Sequence, residues 1–155
     1  MKKWIILFGL LIILPIAWYL ISPAFIVKEA NEEFPIIENS DSLEENTNIV
    51  FNILQANFIA SAHDVKGKAL IIDDKGKKIL RFQDFETING PDLFIYLSSD
   101  LEAKDFINLG EIKATKGNVN YDLPSNVNLN NYNHVLVWCE PFKVLFSYSV
   151  LKQYV

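Results

Sequence analysis

The sequence predicts an all-β fold, a small antiparallel β-sandwich or barrel-like domain of about seven to nine strands behind one N-terminal transmembrane helix. Three observations predict it. From Asn57 onward, short runs of apolar and β-branched residues are broken by Gly, Pro, Asn and Asp, the texture of strands joined by tight turns. No helical pattern of about 10–15 residues alternates with those strands, which argues against a parallel α/β fold. Half of the residues are apolar, and the excess sits in Trp4–Val27, 24 residues without a charge.

That first run is long enough for a bilayer core of ~30 Å, which needs about 20 apolar helical residues. Pro15 is tolerated within such a helix, and Trp4, Trp18 and Tyr19 suit its interfaces. A cleaved signal peptide has a shorter core, ending in small residues. "SPA" at Ser22–Ala24 is a weak site of that kind, so residues 1–27 read as an uncleaved signal-anchor. Lys2 and Lys3 precede the run, while Lys28 follows amid acids. The positive-inside rule then places the remainder outside the cytoplasm, in a single-pass protein of the cell membrane.

Residues 28–48 hold seven carboxylates against one lysine and read as an acidic, extended tether. They lack the spaced ligands and glycine of a calcium loop. Between Leu43 and Gln55 two patterns compete. Ser42 and Glu45 form a capping box for a short helix, whereas Ile49, Phe51 and Ile53 alternate as in a strand. The β domain is expected over residues 49–155.

Within it, "KALIIDDKGKKILRFQDF" reads as a hairpin turning at Gly76, and "NGPD" (Asn89–Asp92) as a second turn before the aromatic strand "LFIYLSS". Asn126–Asn133 is a loop, since Asn bonds nearby backbone and tolerates the left-handed region. In "HVLVWC", period two puts Val135, Val137 and Cys139 on one face and His134, Leu136 and Trp138 on the other. Both faces are apolar, as in a central strand covered on both sides. In "FKVLFSYSVL", Phe142, Val144, Phe146, Tyr148 and Val150 share one face. Pro141 has no N–H, so a turn, bulge or edge separates the two strands. Cys139 is then expected at a strand end, more accessible than a mid-strand thiol.

Charge excludes one class of partner. Without Lys2 and Lys3 the chain has 12 basic and 19 acidic residues, and nucleic acid requires clustered Lys and Arg. "VKGKA" lacks the spacing of a phosphate loop. Asp73 and Asp74 precede a turn, where Asp is a turn former. Hydrolase and zinc motifs (GxSxG, HExxH, CxxC) do not occur.

"HDVKGKALI", "LRFQDFETINGPDLFIYLS" and "YDLPSNVNLNNYNHVLVWCEPFKVLFSYSVL" together resemble the electron-transfer DM-thirteen domain, over residues 57–151. The resemblance implies an extracytoplasmic all-β module whose single cysteine, at the place of Cys139, acts in redox chemistry as a bare thiol or as ligand of a prosthetic group such as haem. Since no substrate pocket is visible in the sequence, such a module is expected to act with a redox partner protein at the cell surface. Ser147 stands where many relatives have glycine.

The chemistry of Cys139 sets its own conditions. A thiol reacts as thiolate. Glu140 raises its pKa, and Lys143 lowers it if the strands fold back. His134 and Trp138 are the neighbouring candidates for holding a group, with His134 on the wrong face unless a bulge intervenes. His63, His134 and Cys139 match a copper-type set in number only, without an axial Met, and no metal site is expected. Without CxxCH, haem could be held by Cys139 only non-covalently. The alternative is a non-catalytic surface binding domain in which Cys139 is a small buried hydrophobe. An intermolecular disulfide is a third use of an odd cysteine.

Overall fold

The computed structural model describes residues 2–35, 52–74 and 77–152. It opens with helix α1 (Lys2–Ile21), followed by a 3-10 turn over Ser22–Phe25. The α-helix ends there because a residue preceding proline, here Ser22 before Pro23, is pushed out of the helical region. Among the described residues no helix is long and apolar enough to cross a membrane. The run expected as a single helix over Trp4–Val27 is an α-helix only as far as Ile21, followed by the 3-10 turn. Its large side chains, among them Leu11, Trp18 and Phe25, are exposed.

The strands among the described residues are β1 (Glu29–Asn31), β2 (Asn52–Asn57), β3 (Ile59–Ala60), β4 (Val65–Asp74), β5 (Lys77–Thr87), β6 (Leu93–Ser98), β7 (Phe106–Glu111), β8 (Lys116–Asp122), β9 (His134–Cys139) and β10 (Val144–Val150). They form two five-stranded sheets, ordered β1-β8-β5-β4-β2 and β3-β10-β9-β6-β7. This is the sandwich-like arrangement expected, with a strand or more beyond the expected number. Ile71, Leu80, Phe82 and Val119 of the first sheet share one core with Ile95, Val135, Val137 and Cys139 of the second. Each fully buried aliphatic or aromatic side chain there contributes about 1.5–3 kcal/mol.

The acidic segment is not a free tether at its start. Glu29–Asn31 pair in parallel with Lys116–Asn118, and the Lys28 carbonyl accepts from the Thr115 and Lys116 N–H groups. Arg81, buried on the first sheet, donates to the carbonyls of Glu32 and Glu33 and to Asn120 Oδ1 at 2.9–3.2 Å. Its guanidinium lies 5.2 Å from the centre of the Phe34 ring. Thus side chains of the β domain hold the chain as far as Phe34. Residues 36–51, with the Ser42–Glu45 capping box, and the hairpin tip Lys75–Gly76 lie outside the described residues. Asn52–Asn57 is a strand, paired along its whole length with β4.

β10 departs from the expected alternation. The register slips between Leu145 and Ser147, so Phe146 is the residue of a β-bulge. Ser147 and Ser149, opposite Val137 and Val135, are then completely buried, while Tyr148 joins the cluster on the other face.

The docking of β1 depends on Gly117. This residue has φ +113°, and a Cβ there would lie 2.0 Å from the Ala30 carbonyl oxygen. Gly117→Ala is expected to release β1 and to cost roughly 1–3 kcal/mol, read as a lower urea midpoint with new proteolysis near residue 30. An unchanged midpoint would contradict this account of the edge.

Candidate functional site

Cys139 ends β9, and three pieces of backbone close around it. The first is the Asn89–Asp92 loop between β5 and β6. Asn89 is buried, and its Oδ1 accepts from the Gly90 N–H at 3.0 Å. Asp92 sits in the left-handed region at φ +46°, which Asp tolerates better than most residues. The reversal aims two carbonyls at the end of β9. The Asp92 carbonyl accepts from the Glu140 N–H at 3.1 Å, and the Pro91 carbonyl accepts from Cys139 Sγ at 3.2 Å.

The second piece is the bulge at Phe146. Its carbonyl accepts from both Ser61 and His63 N–H groups at 3.1 Å. This brings the His63 ring to 4.0 Å from the Phe146 ring, centre to centre. The third is the turn Glu140–Lys143, with Lys143 at φ +51°. Together these pieces line a pocket of about 240 Å³, in which Cys139, His63 and Asn89 are the polar side chains among Phe142, Phe146 and Leu20. Phe142 is half exposed at the rim, and Leu20 comes from the last turn of α1.

Cys139 is 1% exposed, so the accessibility expected from its strand-end position is not found. The loop, not the strand, seals it. Burial pushes the thiol pKa up, against a lowering backbone hydrogen bond from Phe142, and Asp92 and Glu140 add to the rise. Glu140 acts as expected. Lys143 is engaged by Glu140 in an ion pair instead of facing the sulfur.

The other expected site residues lie elsewhere. Pairing between β6 and β9 is unbroken from Leu93↔Cys139 to Ser98↔His134. His134 is therefore at the opposite end of the strand from Cys139, on the other face, with its Nδ1 buried and unpartnered. Trp138 also faces away, packed with Tyr96 and Leu136. Neither lines the Cys139 pocket. Among the described residues no three His, Cys, Asp or Glu side chains gather as a metal site. A haem does not fit either. The pocket is below the ~300–1,000 Å³ typical of clefts for drug-sized ligands, and the sulfur's hydrogen bond goes to Pro91.

His63 is the pocket residue that strand periodicity could not supply, because a bulge and a non-local contact bring it in. The "NGPD" turn was legible, but its grip on Cys139 was not.

A family model described as Electron transfer DM13 matches residues 57–151. The chain belongs to this family. The match spans the strands β3–β10 and every element that closes on Cys139 except the end of α1. Membership gives the DM13 domain an electron-transfer role in general terms. No curated protein and no solved structure gives a significant match.

The pocket wall has one steric key. A Cβ on Gly90 would lie 2.7 Å from Phe146 Cζ, too close for two carbons. Gly90→Ala is expected to displace the Phe146 ring and to cost about 1–3 kcal/mol. Thermal or urea unfolding, with near-UV circular dichroism for the ring environment, checks it. A wild-type melting curve would show that the wall is not packed as described.

Proposed function

We propose that this DM13 domain is a membrane-anchored, extracytoplasmic redox module whose centre is the Cys139 thiol. The observation that carries the reading is that the chain's one cysteine lines a pocket together with an imidazole, His63, in a domain of an electron-transfer family. The poor fit of haem favours the bare thiol. Such a thiol exchanges electrons in two ways. As thiolate it attacks a disulfide that a partner brings, forming a mixed disulfide as the other sulfur leaves as a thiol, or it gives one electron to an acceptor while its proton passes to a base. His63 is the base in the pocket. For the exchange with a second sulfur the Asn89–Asp92 loop has to move, since its Pro91 carbonyl covers the thiol.

Anchorage is supported by α1. From Trp4 to Ile21 it is uncharged, about 27 Å long at 1.5 Å per residue. The 3-10 turn, Ile26 and Val27 extend the apolar stretch toward the ~30 Å of a bilayer core. Its exposed side chains find cover in lipid, and Lys2 and Lys3 orient it with the domain outside.

The burial of Cys139 favours a second reading, a surface binding domain with an inert cysteine. The full chain in detergent, equilibrated with glutathione mixtures and weighed by mass spectrometry, separates the two. The redox reading predicts a reversible mixed disulfide at Cys139, absent in Cys139→Ser, whose stability changes by about 1 kcal/mol. A thiol that stays reduced at every ratio, and reacts only in denaturant, would leave the binding reading.

A further inference from the structure

Across β9 from the thiol, the outer face of the second sheet carries a separate aromatic cluster. Tyr96 is its centre and is 2% exposed. Its ring stacks on Phe106 at 4.1 Å and lies 6.3 Å from the Trp138 ring, centre to centre. Its hydroxyl donates to Glu140 Oε2 at 2.6 Å, a short charge-assisted bond. Glu140 follows Cys139 directly, and its other oxygen takes the Lys143 ammonium. An open groove of about 570 Å³, bordered by Leu101, Phe106 and Lys143, reaches both Tyr96 and Trp138.

We propose that Tyr96 and Glu140 form a second redox site, a proton-coupled one-electron donor. The proposal rests on the reading of the domain as an electron-transfer module. The oxidant, here called the carrier, is by class a metal complex that cycles by one electron. It takes one electron from the Tyr96 ring and is itself reduced by one. A phenol that has lost an electron is a strong acid, so the Tyr96 O–H bond breaks and the proton crosses the 2.6 Å bond to form an O–H on Glu140. The products are a neutral tyrosyl radical, a neutral carboxylic acid and the reduced carrier. Return of one electron sends the proton back.

Other tyrosines lack one part of this arrangement. Tyr132 donates to Asp105 at 2.9 Å, but that pair is exposed. Tyr121 is buried, but its hydroxyl accepts from the Lys113 N–H. Among the described residues Tyr96 alone joins burial to a carboxylate acceptor. Before oxidation the proton stays on Tyr96. Burial first, and then the carboxylate, raise the phenol pKa, while Lys143 and the Tyr96 hydroxyl hold Glu140 below the usual carboxylate range.

The test oxidises the full chain in detergent with hexachloroiridate(IV) and reads the radical by freeze-quench electron paramagnetic resonance. A tyrosyl signal is expected that vanishes in Tyr96→Phe and persists in Tyr132→Phe and Cys139→Ala. Glu140→Gln, which keeps the shape but cannot take the proton, is expected to slow radical formation roughly a hundredfold, the low end of what a positioned base contributes. It carries the test should Tyr96→Phe fail to fold. No radical, a tryptophan signal, a radical that survives Tyr96→Phe, or a rate unchanged by Glu140→Gln would each overturn the proposal. Persistence in Cys139→Ala makes the outcome independent of whether the thiol itself is redox-active.

Discussion

Strand β9 is apolar on both faces, and the rest of the domain is arranged to cover it. Its five residues from Val135 to Cys139 are all buried. One face needs the first sheet, and so Val135, Val137 and Cys139 enter the common core with Phe82 and Val119. Among the described residues no third layer covers the other face. Leu136 and Trp138 are covered instead by large neighbours on the same sheet, chiefly Tyr96 and Leu145. A strand with two apolar faces must be central, and β6 and β10 flank it accordingly.

The two faces give one strand two chemistries. At its C-terminal end, successive residues point to opposite sides. Cys139 therefore belongs to a sealed pocket, while Trp138 belongs to an aromatic cluster beside an open groove. Glu140 stands at the junction. Its N–H is fixed by the Asp92 carbonyl, and its carboxylate joins Tyr96 to Lys143. The Asn89–Asp92 loop and the Glu140–Lys143 turn are where this junction is held, and each contains a non-glycine residue at positive φ. Strain of that kind persists only where surrounding contacts over-determine it.

Much of this was legible in the sequence. The period-two pattern of "HVLVWC" assigned the two faces of β9 correctly, because a regular strand has no freedom to do otherwise. Pro141 and Asn89–Asp92 marked true turns through their backbone preferences. What periodicity could not carry was the exception to it. The bulge at Phe146 shifts the parity of β10, and nothing local in "VLFSYSV" announces it. His63 enters the pocket through that bulge, from more than 70 residues away along the chain. The burial of Cys139 is not legible in the sequence for a similar reason. Its seal comes from a loop some 48 positions earlier, and only tertiary structure places it. The acidic segment was read by composition as solvated, yet Arg81 and Gly117 make specific places for Lys28–Phe34.

The central claim is that the fold holds Cys139 as a protonated, sealed thiol that the pocket must open to use. Its sign is definite. The folded chain binds that proton more tightly than the unfolded chain, whose thiol ionises near the ordinary ~8.5. The associated stability is full below that value and is lost as pH climbs through the folded value. The most direct measurement is the rate of alkylation by iodoacetamide against pH, in the folded chain and in urea. The account predicts slow labelling at neutral pH and a half-ionisation point above the one found in urea. Fast labelling of the folded chain at neutral pH, with a midpoint at or below that of the unfolded chain, would contradict it.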